Sequence, residues 1–533
     1  MNTKFLFSIL FIFAGFFVSA QPVFQKAYGG LSVEGAWCVQ QTSDGGYIIT
    51  AESNTYSAGG DAVYLVKTDS AGVLQWTRTF GGAASYDYGN MVRETFDGGY
   101  IITGITYSFG SGQGDMYLIK TDSAGNYLWT KTYGGTSIEE GFSVQQTADS
   151  GYVIAGFTQS YGSGSSDVYV VKTGAGGNVQ WSHTYGGPGD EGYSGTGNIS
   201  IHQVNGNGYI VAAYTNSFGA GGYDLYLLRL GAGGGLTWSR TFGGASDEYG
   251  FSNNIGQTGD GGFIMVGYTR SFGSGGADVF LLKTNGLGHL VWSKTYGGPA
   301  EDYGYAVEQT SDGGYAISGT THSFGNGSWD AYVIRTDITG NYLWSKAYGG
   351  VYEDRGYSIE ETADTGLVIS GYTKSFGSGN FDVYLVKTDA HGISGCQEVS
   401  PPTTVTTPTT IEGTPNTMVS TGCIVTISAT LQGVGGSETA VCSGTVGLHT
   451  ETIQRNRIEI YPNPSNGIFT LDAAMDITQL EVVNVLGEVV LKQTINAAQT
   501  HLNLSAYPDG IYFVRCIREN NVVATEKIVV TGE

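Results

Sequence analysis

WTKTYGG, residues 129–135, returns as WSKTYGG from Trp292 and as WSKAYGG from Trp344. The aromatic-Gly-Gly triplet that ends it stands at Tyr28, Phe80, Tyr133, Tyr185, Phe242, Tyr296 and Tyr348, at spacings of 52, 53, 52, 57, 54 and 52 residues. A nearly fixed period of this length marks a repeat architecture, so each unit must be read as one supersecondary piece. Each follows one plan: an acidic loop, a strand such as GFSVQQT, the turn ADSG, a strand YVIAGFT, a loop QSYGSGSSD, a strand VYVVKT, a turn GAGGN, and VQWSHTYGG. Four short strands joined by glycine-rich turns predict an all-β propeller blade rather than a solenoid coil.

The turns explain the 86 glycines. SDGGY from Ser43 and Ser311, and FDGGY from Phe96, supply Asp then Gly where a tight hairpin needs positive φ. No GxxxxGK[ST] accompanies them, so a phosphate-cradling role is not indicated. The third strand begins at Asp61, Asp115, Asp167, Asp224, Asp278, Asp330 and Asp382, but the seventh copy lacks a following Trp strand. VFQKAYGG, Val23 to Gly30, has the missing form, with Phe24 in the Trp position. The N-terminal strand is therefore expected to complete the last sheet and leave no edge unpaired, giving a seven-bladed β-propeller over residues 21–396.

Trp76, Trp129, Trp181, Trp238, Trp292 and Trp344 recur at one strand position and are expected to hold blade to blade. VKTDSAGVLQW (Val66 to Trp76) and RTDITGNYLW (Arg335 to Trp344) resemble the tryptophan-docking segment of quinoprotein-type propellers. The resemblance implies the fold but no quinone, since Gly174, Gly231 and Asn285 replace the Asp in three repeats. The whole repeat is also similar to propeller repeats of exported bacterial proteins, a likeness that implies no chemistry.

Residues 1–20 have the form of a signal peptide: Lys4, an apolar run from Phe5 to Phe17, and Val-Ser-Ala before cleavage between Ala20 and Gln21. No later stretch supplies the roughly 20 apolar residues of a transmembrane segment. Against 24 basic residues stand 47 acidic ones, a net charge of -23, which argues against nucleic acid and anionic lipid as partners. With 13% charged residues but 36 Tyr, 23 Phe and 8 Trp, the composition suits an exported, folded β protein.

After Cys396 the composition shifts. PPTTVTTPTTIEGTPNT, Pro401 to Thr417, reads as a stiff Thr/Pro linker within residues 397–450. Cys423 and Cys442 bound a candidate small hairpin and could pair there; with Cys38 and Cys396 they allow three connectivities. Cys516 is expected to be a buried free thiol.

Residues 451–533 alternate apolar and polar between Gly, Pro and Asn breaks, which predicts a small β-sandwich. They resemble the type A sorting domain of the type IX secretion system of Bacteroidota, through Pro462-Asn463-Pro464 with Gly467, Gly487 in NVLGEVV, Gly510, Tyr512 and Lys527. The resemblance implies a transport address read by the secretion machinery, usually cleaved as cargo is released or anchored at the surface, and hence a secreted or cell-surface protein.

Blade connections place the loop after each aromatic-Gly-Gly and the SFGSG-type loop on one face. Acidic pairs stand there at Glu139-Glu140, Asp190-Glu191, Asp247-Glu248, Glu301-Asp302 and Glu353-Asp354, with Glu34 and Asp87 alone in the first two units. Tyr56, Phe109, Tyr161, Phe218, Phe272, Phe324 and Phe376 repeat nearby. Carboxylates beside flat rings suit a glycan or a basic peptide, or hold calcium through oxygen ligands; no other cofactor or metal is indicated. The competing expectation is that the acids are solvated loop charges and the rings tuck under the adjacent turn. An insertion in the fourth unit, between Tyr185 and Tyr209, breaks the symmetry. A polar position on the first strand, Gln41, Glu94, Gln146, Gln203, Gln257, Gln309 or Glu361, is expected to bridge neighbouring units, the alternative being a site lining the lumen.

The seven His form no HExxH, and no GxSxG elbow follows a strand. Two function classes follow: a surface binding module for a glycan or protein ligand, and, as the rival, a secreted polysaccharide hydrolase or lyase working through paired acids.

Overall fold

Second and third strands such as Tyr100–Thr106 and Asp115–Thr121 are buried along their whole length, whereas fourth strands such as Tyr127–Gly134 alternate in their first half. A strand buried on both sides needs a neighbour on both sides, so these sheets must stack face to face. The computed structural model describes residues 22–57, 59–82, 86–192, 199–204, 208–413, 418–420, 424–426, 431–433, 437–445, 458–461, 465–473, 478–484, 488–494, 499–518 and 521–531. The signal-peptide residues, Ala20 and Gln21 included, lie outside these. So do residues 193–198 and 205–207 of the fourth-unit insertion. The described residues are all-β, with no helix, and therefore no helix long and apolar enough to cross a membrane.

The chain divides into two units, residues 1–446 and 447–533. In the first, β1 (Pro22–Gly29) is followed by β2 (Glu34–Gln41), β3 (Tyr47–Ser53), β4 (Ala62–Thr68) and β5 (Leu74–Gly81). β2 to β5 form one antiparallel sheet in chain order, and later repeats do the same, the arrangement of propeller blades. β1 pairs with Asp382–Lys387, Phe24 facing Lys387 and Tyr28 facing Val383, so the N-terminus supplies the fourth strand of the sheet begun by Asp354–Glu361.

Each sheet docks on the next through one device. The Trp of the fourth strand lies so close to a positive-φ glycine in the following repeat that a Cβ there would sit 2.5–2.9 Å from the ring: Trp76 on Gly125, Trp129 on Gly177, Trp181 on Gly234, Trp238 on Gly288, Trp292 on Gly340 and Trp344 on Gly392. Phe24 sits on Gly72 in the same way. The adjacent tyrosine donates to the same glycine's carbonyl, Tyr133 to Gly177 at 2.7 Å and Tyr348 to Gly392 at 2.7 Å. The first-strand polar position bridges sheets as expected: Glu94 accepts from the Ser43 N–H at 2.7 Å, Gln146 from Phe96 at 2.7 Å, Gln309 from Gly259 at 2.8 Å, and Gln41 from Ala363 at 2.8 Å.

The β2–β3 type of turn places a glycine at positive φ in Gly45, Gly98, Gly261 and Gly313, but Ser150 and Thr365 occupy it at φ 64° and 65°. A β-branched residue there is strained by about 1–2 kcal/mol, partly offset by the entropy glycine loses on folding. Thr365→Gly is therefore expected to stabilise by about 0.5–1 kcal/mol. A urea midpoint that falls would refute this.

The stretch read as a linker is instead a belt. It adds a fifth, outermost antiparallel strand to sheet after sheet in reverse chain order. Glu398–Val399 pairs with Tyr342–Tyr348, Thr404–Thr406 with Leu290–Gly297, Ile411–Gly413 with Leu236–Gly243, and Met418–Ser420 with Val179–Gly186. Ile424–Thr426, Leu431–Gly433 and finally Ser437–Thr445 pair with Tyr127–Gly134, β5 and β1. Among the described residues the strands of the expected hairpin do not pair with one another but join three different sheets. Cys442 is bonded to Cys396, 46 residues earlier, so the disulfide joins the belt's two ends; Cys423 lies outside the described residues. The physical reason is the free edge of every fourth strand, which extended, hydroxyl-rich chain can fill: Thr410 meets Ser293 at 2.8 Å, and Thr403 meets Ser345 at 2.8 Å.

The second unit has a three-stranded sheet, Ile458–Tyr461, Ile468–Ala473 and Gln499–Asn503, and a four-stranded one, Val489–Thr494, Gln479–Asn484, Gly510–Arg518 and Asn521–Val530. Phe469, Leu471, Leu480, Val482, Val514 and Ile528 fill one shared core, the two-layer form its alternation predicts. Cys516 is buried there and free.

Candidate functional site

One member of every acidic pair is a loop pin. Glu139 is fully buried and accepts from the Gly135 N–H at 2.6 Å, Thr158 Oγ1 at 2.7 Å and the Ser160 N–H at 3.1 Å. Glu34, Asp87, Glu191, Glu248, Asp302 and Asp354 repeat this, each taking the N–H of the second glycine of the triplet and the hydroxyl that ends the neighbouring strand. The Asp that opens the third strand caps the next loop; the Asp115 carboxylate accepts from Ser111 and Gly112. Both carboxylates crowd the first glycine of the triplet: at Gly134 a Cβ would stand 2.4 Å from Glu139 and 2.5 Å from Asp115. That is why the triplet repeats glycine.

The repeated aromatics are half-buried and packed on the core. Phe109, Tyr161, Phe218, Phe272, Phe324 and Phe376 each lie about 6 Å from the third-strand ring of their own sheet, and Tyr161 donates to the Gly134 carbonyl at 2.8 Å. They support the loop from beneath.

The other acids take different partners. Asp190 receives the Ser166 hydroxyl at 3.4 Å, and Asp247 the Tyr223 N–H at 3.0 Å. Glu301 pairs with Arg270 at 3.0 Å and Glu353 with Arg355 at 2.6 Å. The Tyr303 hydroxyl and Arg270 hold the Glu301 carboxyl below the usual range. Glu140 takes the Asn90 amide at 2.9 Å, and burial pushes it up to about 7. Glu52, on the same rim, is pushed up to about 7 by burial and by Asp61. Among the described residues no group of three or more His, Cys, Asp or Glu is placed to hold a metal ion.

What emerges around the two arginines was not read from the sequence. Tyr303 stacks on Trp329 at 5.4 Å and 21°, and His322 lies on Trp329 at 4.8 Å and 26°. Tyr223, Tyr249, Tyr268 and Tyr303 form a chain at 5.0, 5.3 and 4.6 Å. Arg355 lies over Trp329 at 5.2 Å and over Tyr372 at 5.7 Å, and Tyr372 donates to Glu353 at 2.8 Å. His322 and Arg270 are exposed, and Tyr223, Tyr249, Tyr303, Trp329 and Tyr372 are half-buried. The result is a continuous aromatic and arginine surface across the fourth to seventh repeats.

Beneath it the first strand slips register by one residue against the second, at Trp37, Asn90, Phe142, Tyr305 and Tyr357. A bulge re-aims its side chain. Trp37 and Tyr305 thereby meet Tyr357 at 4.8 and 4.7 Å and fill the space under the surface. The missed signal was the residue on each side of the first-strand glycine, as in EYGF, DYGY and DRGY.

In the second unit Tyr512 is buried and donates to the Pro508 carbonyl at 2.7 Å, and Gly467 holds φ 98° where a Cβ would meet Ser505 backbone at 2.6 Å. Gly510 opens the strand that carries Tyr512, and Lys527 faces Phe513 across the sheet. Pro462, Asn463, Pro464 and Gly487 lie outside the described residues.

Over 141 residues the chain is 28% identical to the regulatory protein FlaEY of Caulobacter vibrioides, covering 22% of this chain and 15% of that protein's length. Solved structures it resembles include a protein of unknown function from Bacteroides caccae (11% identity, 56% of this chain and 93% of that one, TM-score 0.32). Others are the extracellular domain of a one-component system from B. thetaiotaomicron (10%, 96% and 59%, 0.34), and PorZ, a surface component of the type IX secretion system of Porphyromonas gingivalis (8%, 95% and 100%, 0.20). Likenesses this weak carry no argument. Residues 459–531 match the family model described as secretion system C-terminal sorting domain, and with that address the protein goes to the cell surface or the extracellular space.

Proposed function

We propose that the protein is a type IX cargo whose first unit is a closed seven-bladed propeller serving as a surface binding platform for a glycan or protein ligand. Ring closure is supported by Phe24 on Gly72 and by the Ala363 bond to Gln41, which repeat between the last and first sheets the contacts made between neighbours. The observation that carries the binding reading is the surface around Trp329, Tyr303 and Arg355. Partly exposed aromatic side chains give a ligand apolar contact area beside polar tips, and arginines already oriented by carboxylates offer donors in fixed geometry. Aromatics and arginine are also the anchors of protein interfaces, which keeps both ligand classes within this reading.

A glycan array run with and without calcium tests it. Binding by the wild type, reduced at least tenfold in Trp329→Ala/Tyr303→Ala with an unchanged melting temperature, is the expected result. Retained binding in the variant would move the site elsewhere, and a silent array would remove the glycan half of the proposal. A second reading, polysaccharide hydrolysis, draws on Glu52 and Glu140, two carboxyls raised to about 7 on one rim, where one can hold a proton while the other does not. It requires reducing-sugar release that Glu140→Gln abolishes.

A further inference from the structure

At the other end of the first strands lies a cavity of about 560 Å³, within the range of small-molecule sites. It begins below the Trp37, Tyr305 and Tyr357 plug and reaches Phe96, which is 73% exposed, so it opens on the face opposite the aromatic surface. Its upper wall is an apolar collar of Val39, Val144, Ile201, Ile255, Val307 and Ile359.

The next level is polar. At this strand position Gln40 and Gln145 accept the Glu94 and Gln203 N–H of the neighbouring sheets at 2.7 and 2.6 Å. Glu360 and Glu308 take the same role toward Gln41 at 2.9 Å and Glu361 at 2.6 Å. A glutamine would serve that bond equally well, so the charge is surplus to the architecture. Each carboxylate commits Oε2 to the N–H, and the described residues give its Oε1 no donor. The remaining ionisable groups at this level are Arg93 and His202. Arg93 is turned to Cys38 Sγ at 3.0 Å and the Val92 carbonyl at 2.9 Å, and although the His202 side chain is exposed to the lumen, the protein crowded around it and the Arg93 charge hold its imidazole below its usual value, hence neutral. Glu94 and Glu361, nearer the mouth, spend both oxygens on Ser43 and Ser311. With both carboxyls ionised this level would carry one more negative charge than Arg93 offsets, so an entering cation under the apolar collar is what allows Glu308 to ionise beside Glu360.

We infer that this axial cavity binds a small alkylammonium compound, its ammonium between Glu308 and Glu360 and its alkyl chain against the collar. The Glu308 carboxyl, pushed up to about 8 by burial and by Glu360, ionises when the ammonium arrives. Binding at pH 7.5 therefore releases protons.

Calorimetric titration of the full chain with n-pentylamine, in two buffers of different ionisation enthalpy, tests this against n-pentanol and valerate as probes. Saturable amine binding with a buffer-dependent heat is expected, at least tenfold tighter than pentanol, with no valerate signal. Glu308→Gln and Glu360→Gln keep the acceptor for the neighbouring N–H and fold, as melting would verify, yet should weaken the amine at least tenfold and abolish the proton release. Equal binding of pentanol, an unaffected double variant, or no saturation at millimolar amine would each overturn the inference.

Discussion

Cys442→Ser is expected to lower the melting temperature by about 3–5 °C, and reduction of the wild type should do the same. Opening a 46-residue loop costs about 2–4 kcal/mol by loop-closure entropy. Spread over a unit of this size it becomes a shift of a few degrees. Removing β1 should do far more. Val23, Phe24, Ala27 and Tyr28 are all buried, Gln25 donates to Ser394 Oγ at 2.7 Å, and the strand is paired on both sides, by Asp382–Lys387 and by the longest belt strand. At about 1.5–3 kcal/mol for each large apolar side chain, with the sheet contacts added, the loss rivals a total stability of about 5–15 kcal/mol. A chain lacking Pro22 to Gly29 should show no cooperative unfolding, and limited proteolysis should cut the belt in Cys442→Ser before the sheets. Melting of the deletion at the wild-type temperature would refute the seam.

Much of the first unit was legible because it is written several times over. The Trp and glycine that dock neighbouring sheets, the Asp-Gly turns and the bridging Gln41 position are local devices, and repetition separates them from noise. The belt was not legible, since Thr404–Thr406 and Ile411–Gly413 carry too few residues for a strand pattern and find their partners more than a hundred residues upstream. The acidic pairs were visible as pairs, but spacing alone could not divide them into a buried pin such as Asp302 and a surface partner such as Glu301. That division depends on strand alternation, which turns one of two neighbours inward. The aromatic surface was missed because the position shared by Tyr303 and Arg355 is Gly35, Tyr88, Glu140 and Tyr249 in other repeats, and that of Trp329 is Gly114, Ser166 and Ala277. A search for repetition discards such positions.

Stability should pass through a maximum near pH 4–5, and the unit should melt at least 5 °C higher at pH 5 than at pH 7.5. Two sets of carboxyls act in opposite windows. Asp44, Asp97, Asp149, Asp260 and Asp312 are drawn down to about 2: partial burial alone would raise them, but hydrogen bonds from the neighbouring threonine, backbone N–H and buried Lys or Arg outweigh it. Their contribution is complete above the unfolded value near 4 and is lost only as pH falls toward 2. Asp115, Asp167, Asp224 and Asp278 are pushed up to about 6 and Asp330 to about 7, chiefly by burial and further by the pin carboxylate across the triplet glycine. For these the folded state binds protons more tightly than the unfolded one, so stability grows as pH falls from 7 to about 4. Each proton taken up on folding adds about 1.4 kcal/mol per pH unit, and relief of a net charge of -23 acts in the same direction. Asp330→Asn isolates the second set. It keeps an acceptor for the Gly327 N–H, removes the buried charge beside Asp354, and should raise the melting temperature at pH 7.5 while changing little at pH 5. A melting temperature that falls steadily from pH 7.5 to pH 5, or an Asp330→Asn penalty that is the same at both, would show that these carboxyls are ionised and satisfied in the folded protein.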